Sequence, residues 1–351
     1  MHAKVRAVSR PDAIPTEKVE TDSRRWPPLR VPFARLGKGR AGKVVHVLRN
    51  QTAFILLVVL VLAGGLLSDV FLTPANLLNI MWAVSVLGIV ALGQTVLLIT
   101  CNFDMSVASV VGLSGILTVI AQNAGFGLVG LMAAGLGGGL LMGLFNGTVV
   151  VITGANPFLV TLGSNALAYA TSLSITHSKV FYTSVPAFNL LGRGKLFGVI
   201  HYSVLLFVAI AIILEFVLRR TIFGRCLYVV GLNAVVGRLS GIRVRLTQLI
   251  GFVLCGGTAA LAGMVLTART GSTVASAGAG MDFDSIIAAV LGGTSLFGGR
   301  GGALRTIAGV LVLGVLNNLL VLLDIPIEGQ QVAKGAVFLF VVWADSVLRS
   351  A

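Results

Sequence analysis

The sequence predicts an all-α membrane protein of about ten transmembrane helices, with the N-terminus and the C-terminus both cytoplasmic. Three observations carry that class. Of the 351 residues, 56% are hydrophobic and only 11% charged, against roughly 25% charged in a soluble domain. The apolar residues fall in repeated blocks near the length, about 20 helical residues, that crosses about 30 Å of hydrocarbon. Strand-like alternation is absent, which argues against a transmembrane β-barrel.

The first element is a tail. Residues 1–49 hold twelve basic and four acidic residues, a net +8 of the chain's +14, and are interrupted by five prolines. They read as a basic, disordered cytoplasmic tail ahead of the membrane. The apolar block from Thr52 is too long and too late for a signal peptide. Nucleic-acid binding would need a folded basic face with stacking groups, and the tail offers only Trp26 and Phe33. Gly37-Lys38-Gly39-Arg40-Ala41-Gly42-Lys43-Val44 mimics a phosphate loop but has Val where magnesium needs Ser or Thr, and no strand precedes it. Any ATP used with this protein is hydrolysed by another chain.

Residues 50–351 form the membrane domain, with apolar helices near 52–68, 76–99, 105–122, 127–150, 157–177, 199–218, 248–268, 284–298, 303–323 and 331–348. Thr73–Pro74 and Asn156–Pro157 each put a capping residue before a proline at the first helical position. Asp284 is the expected cap of the eighth block, which is short and glycine-rich and reads as a broken helix. In the fourth block Gly135, Gly139, Gly143 and Gly147 share one face, suited to close helix packing inside the subunit or at a dimer seam.

Charge then gives a direction. With the N-terminus inside, the loop 219–247 is cytoplasmic, and it holds six arginines and no acid. The links assigned outside carry Asp69, Asp282, Asp324 and Glu328. Segment 178–198 runs against the pattern, with Lys179, Arg193 and Lys195 on the outer side.

At the helix end that leads into this loop, Glu215 and Arg219 stand four apart, where an ion pair can form. The run from Gly231 through Asn233, Val235, Val236, Arg238, Leu239, Ser240 and Gly241 to Ile242 suits a short helix with one apolar face. Such a face either docks a partner or lies on the membrane surface. Asp104 is the one carboxylate near membrane depth, and reads as a pathway group or as a helix cap. Gln94, Asn102, Ser106, Asn165, Asn317 and Asn318 are further polar candidates for a path lining, or hydrogen-bond between helices. Cys101, Cys226 and Cys255, and the four histidines, lack metal-ligand spacing, and no catalytic cluster is visible.

Four ordered blocks resemble the ribose-type, sugar-transporting permease family of binding-protein-dependent ABC importers. They are Leu87–Val96 leading into Asp104-Met105-Ser106-Val107; Pro157–Gly163; Gly231-x-Asn233 through Arg238–Ile242; and Val290–Gly299 with Asn317-Asn318 after it. The resemblance spans residue 50 to the C-terminus. It implies a multi-pass permease of the bacterial inner membrane, working beside a second permease copy or homologue. It also implies two ABC ATPase subunits holding ATP and magnesium, an external solute-binding protein, and a coupling helix at 231–242. This chain itself would need no cofactor. The solute would be a monosaccharide or sugar alcohol; a branched-chain amino-acid importer permease and a secondary transporter are the alternatives. Two departures stand out. Ala234-Val235-Val236 replaces residues that are often acidic or alanine in relatives, and Cys101-Asn102-Phe103 replaces the usual Gly-Gly-Ile before the aspartate. The second makes the local backbone less permissive.

Overall fold

The computed structural model describes the backbone of residues 40–350 and the side chains of residues 53–340. The described chain forms thirteen helices and four two-residue strands. The first half runs α1 (Arg40–Leu67), α2 (Pro74–Ile99), α3 (Val107–Asn123), α4 (Leu128–Thr153) and α5 (Pro157–Thr176). Then follow β1 (Phe181–Tyr182), α6 (Pro186–Arg193), β2 (Lys195–Leu196), β3 (Ile200–His201), α7 (Tyr202–Arg220), α8 (Ile222–Leu232) and α9 (Ala234–Leu239). The last part is α10 (Val244–Thr270), β4 (Ser272–Thr273), α11 (Met281–Leu291), α12 (Ala303–Leu322) and α13 (Ile327–Ser350).

Six helices among the described residues (α2, α4, α5, α7, α10 and α12) are long and apolar enough to cross a membrane. Ala53–Leu67 of α1, with α3 and α8, are shorter apolar helices. On α7, Ile212, Ile213 and Phe216 are 57%, 60% and 63% exposed, an outward apolar face that lipid solvates and water would not. The chain is a multi-pass membrane protein.

The two proline starts form for the expected reason. Thr73 Oγ1 accepts from Asn76 N at 3.4 Å, and Asn156 Oδ1 accepts from Phe158 N at 2.9 Å. Helix α1 starts at Arg40, inside the segment read as tail, because Val44–Val47 continue helically into the apolar block. The rest of the tail, with the Gly37–Gly39 start of the phosphate-loop mimic, lies outside the described residues.

At the centre stands α2, 83% of whose apolar window is buried, beside α10 at 67%. Helix α2 packs against α7, α10, α11 and α12, while α10 runs along α3 and α4. Helix α5 lies outside α3 and α4, α1 outside α12, and α13 against α11 and α12. The glycine face of α4 meets α10. A Cβ on Gly139 would collide with the Gly256 carbonyl, and one on Gly143 with the Phe252 carbonyl. Gly256 answers from the other side, where its own Cβ would strike Gly139. Close backbone approach within the subunit is what these glycines permit.

Several expectations need correction. The eighth block is helical only to Leu291, after which residues 292–302 turn at glycines with no regular structure. Asp284 does not cap it: Gly280 holds that position, and the Asp284 carboxylate pairs with Lys334 of α13 at 2.9 Å. The loop 219–247 holds two helices where one was expected, because Asn233 ends α8 and starts α9, its Oδ1 accepting from Val235 N and Val236 N at 2.9 and 3.1 Å. The all-α class admits two small antiparallel pairings, β1 with β4 and β2 with β3. One basic residue of segment 178–198 has a structural use: Arg193 donates through Nε to the Arg269 carbonyl at 2.9 Å, at the C-terminal end of α10, where a helix favours a cation.

Gly139→Val should cost about 2 kcal/mol or more, since backbone on the facing helix cannot move aside as a side chain would. The thermal midpoint of detergent-solubilised protein should fall accordingly. An unchanged midpoint would mean that the α4–α10 seam is loose.

Candidate functional site

Helix α2 stops at Ile99, and residues 100–106 cross to α3 without helical structure. A break of this kind in apolar surroundings leaves backbone groups that need partners. Side chains from three helices and from the break itself supply them. Gln94 of α2 donates through Nε2 to the Asp104 carbonyl at 2.5 Å and accepts from Asp104 N at 3.1 Å. Thr161 of α5 accepts from Met105 N at 3.0 Å. Asp104 Oδ1 accepts from Ser106 N at 2.8 Å and from Ser106 Oγ at 2.5 Å, holding the residue that precedes α3. Asn146 of α4 donates to Asp104 Oδ2 at 3.2 Å and to Ser106 Oγ at 2.8 Å. Asp104 is 1% exposed.

Asn102 closes the turn locally, donating to the Thr100 carbonyl and hydroxyl, both at 3.0 Å. Cys101 beside it holds φ 61°, the left-handed region. That is the position where the resemblance led one to expect glycine, and a side chain there costs about 1–2 kcal/mol.

Next to this junction sits the α8–α9 segment. Gly231 lies so close to the Ile99 carbonyl that a Cβ would collide with it. The same carbonyl accepts from Gly299 N at 2.9 Å, and Tyr228 Oη donates to the Gly301 carbonyl at 2.9 Å. Glu215 of α7 pairs with Arg219 and accepts from Leu304 N at 3.2 Å, capping α12, which has no side-chain cap of its own at Gly302. So the end of α2, the turn 292–302, the start of α12 and α8 form one tied unit. Outward from it, Val235, Val236 and Leu239 of α9 are 59%, 51% and 84% exposed, with Arg238, Ser240 and Gly241 also exposed and Ile242 half-buried.

At the other end of α2 a cavity of about 560 Å³ opens between α2, α11, α12 and α13. Trp82, Arg269, Asp284, Asn317 and Lys334 line it. The Arg269 guanidinium lies 3.9 Å from the Trp82 ring centroid and donates to the Trp82 carbonyl at 3.2 Å. Trp82 Nε1 donates to the Gly192 carbonyl at 2.9 Å, and His201 meets the ring edge-on at 4.3 Å. Burial, then the Lys195 and Arg269 cations, hold the His201 imidazole below its ordinary pKa, so it stays neutral at pH 7.

The seven polar residues singled out in the sequence therefore separate. Gln94, Asn102, Asp104 and Ser106 gather at the break; Asn165 stands one layer out on α5, accepting from Ser109 Oγ at 2.6 Å. Asn317 and Asn318 lie by the cavity, Asn318 exchanging hydrogen bonds with Asn76 at 3.0 and 2.9 Å. Gly135, Gly139, Gly143 and Gly147 are buried on the α10 side of α4. Sequence reading missed Asn146, Thr161, Tyr228, Trp82, Arg269 and Lys334, which lie far in sequence from the groups they meet. Only the rarity of Arg269 and Lys334 between apolar blocks signalled them. Among the described residues no group of three His, Cys, Asp or Glu is placed to hold a metal ion.

Residues 76–342 match the family described as branched-chain amino acid transport system / permease component. The ribose import permease protein RbsC of Escherichia coli (strain K12) is 34% identical over 303 residues, covering 85% of this chain and 94% of the relative. The RbsC of Bacillus subtilis (strain 168) is 34% identical over 305 residues, 85% and 93% of the two chains. The D-allose transport system permease protein AlsC of Escherichia coli (strain K12) is 33% identical over 300 residues, 85% and 91%. No solved structure matches the chain significantly.

Two substitutions test the break. Cys101→Gly should raise stability by about 1 kcal/mol by relieving the left-handed backbone. Asp104→Leu should lower it by about 2 kcal/mol or more, because the Ser106 N–H and the Asn146 amide lose their acceptor. Both are read as thermal midpoints of the purified protein. Shifts in the opposite directions would refute this account of the turn.

Proposed function

The chain belongs to the permease-component family of binding-protein-dependent ABC importers, and on that premise we propose that it moves a monosaccharide across the bacterial inner membrane. The observation that carries the sugar class is the set of relatives aligned along 85% of the chain, named for ribose and D-allose. The family description mentions branched-chain amino acids, but these relatives favour the sugar reading over that cargo.

In this reading the membrane domain crosses the bilayer about ten times with both termini inside, and pairs with a second permease copy or homologue. A solute-binding protein delivers the sugar outside, and two ATPase subunits bind ATP and magnesium inside. The exposed Val235, Val236 and Leu239 face of α9 seats in the ATPase, with Arg238 and Gly241 beside it. ATP closes the ATPase pair and moves α9. Because Gly231 abuts the Ile99 carbonyl, and Gly299 is bonded to that same carbonyl, the motion reaches α2 and the 292–302 turn together. Asp104, Gln94 and Ser106 then hold the α2–α3 break in one geometry while the helices around it shift. Asn102 and Asn165 stand nearest that break as polar candidates for the path. Helices α4 and α5, the least enclosed of the candidate spans, and the Ile212, Ile213 and Phe216 face of α7 present the lipid face.

The expected outcome is measured with the neighbouring ATPase. Leu239→Asp combined with Val236→Asp should weaken its co-purification by about 2 kcal/mol, roughly thirtyfold in affinity. Arg238→Glu and Gly241→Pro should cut uptake of labelled ribose in cells carrying the whole importer. Full association and full uptake in all these variants would rule out α9 as the coupling helix.

A further inference from the structure

We propose that the cavity between α2, α11, α12 and α13 is a way-station for a neutral, monosaccharide-sized polyhydroxylated solute, contacted by the Asn317 amide and the Trp82 ring. This rests on the importer reading and adds to it a place and a chemistry for the solute inside the permease.

Size and position come first. A volume of about 560 Å³ falls within the roughly 300–1,000 Å³ of small-molecule sites. The cavity borders the first half of α2, whose other end carries the Ile99 contact with α8, so one rigid helix touches both the proposed coupling segment and the proposed solute site.

The lining then selects the ligand. Its charges are already engaged: Asp284 pairs with Lys334 at 2.9 Å, and Arg269 stacks on Trp82 and bonds its carbonyl. A carboxylate-bearing solute would have to compete with Asp284 for Lys334, and a cation would meet Arg269 and Lys334. The Trp82 N–H is spent on the Gly192 carbonyl, so what Trp82 offers the cavity is carbon surface, which suits the C–H face of a sugar ring. Among the buried polar atoms at the cavity wall, where Asn79 is exposed, Asn317 stands out. Its Oδ1 is buried with no hydrogen-bond partner, whereas its neighbour Asn318 is doubly bonded to Asn76. A buried acceptor left unpaired is costly, and because Asn317 lines the cavity, a turn of its amide would bring that unused acceptor to a sugar hydroxyl.

The chain has three tryptophans, so replacing Trp26 and Trp343 by Phe leaves Trp82 as the sole indole of this chain, and a Trp82→Phe complex supplies the background from its partners. In the permease–ATPase complex in lipid nanodiscs, without binding protein, D-ribose or D-allose should change Trp82 emission saturably. Ribonate, the carboxylate of the same size, should not. Asn317→Leu should raise the half-saturating sugar concentration about tenfold, and Asn317→Gln should recover part of that loss. Val321→Trp, which fills the cavity from α12, should abolish the response; co-elution with the ATPase identifies folded variants. A complex that imports sugar yet shows no saturable Trp82 change, or responds equally to ribonate, or is indifferent to Asn317→Leu and Val321→Trp, overturns the way-station and leaves the importer reading standing. A permease that neither binds the ATPase nor supports uptake would instead defeat the importer reading itself.

Discussion

A chain that leaves the helix inside a buried apolar interior has no water to turn to, so every freed N–H and C=O must be met by protein. In this molecule that requirement is concentrated at residues 100–106, between α2 and α3. Gln94 holds both backbone groups of Asp104, Thr161 takes the Met105 N–H, and the Asp104 carboxylate holds Ser106 while Asn146 holds the carboxylate. Helices α2, α3, α4 and α5 are thereby tied at one buried point by neutral donors. A partly satisfied network here would be worse than none, because each lost partner leaves a desolvated group. The placement of the Ile99 carbonyl, and hence of everything that leans on it, follows from this knot.

Around the knot the chain economises on side chains where backbones must meet. The α4–α10 seam brings Gly139 and Gly143 against Gly256 and Phe252, which gains van der Waals contact without any hydrophobic drive that lipid would cancel. Helix ends are served from a distance: Arg193 lies on the last carbonyls of α10, and Glu215 on the first free N–H groups of α12. Such long-range caps fix how neighbouring helices sit along their axes, which local caps cannot do.

These features give α2 two differently engaged ends. Its 26 residues rise about 39 Å, enough to reach across the hydrocarbon. One end is locked to α8 and the 292–302 turn, beside the exposed apolar face of α9. The other borders the cavity with Trp82, and Asn317 faces it from α12. Helix α2 is also the most enclosed of the candidate spans.

Much of this was readable in the residues. Composition and block length set the membrane class, Thr73–Pro74 and Asn156–Pro157 marked two helix starts, and the glycine period on α4 announced a close-packed face. The four ordered blocks pointed to the permease family and to the 231–242 segment. These signals are legible because each depends on residues within a few turns of one another, or on what the bilayer demands of any chain. Tertiary structure alone decided the rest. It gave Asp104 partners on α2 and α4, moved Asp284 from a cap to the partner of Lys334, and turned Arg193 from an anomaly of charge into a helix-end ligand. It also left Asn318 paired with Asn76 and Asn317 unpaired. Sequence distance hides such pairs, since a hydrogen bond spanning 242 positions between Asn76 and Asn318 leaves no local pattern, only two asparagines in otherwise apolar helices.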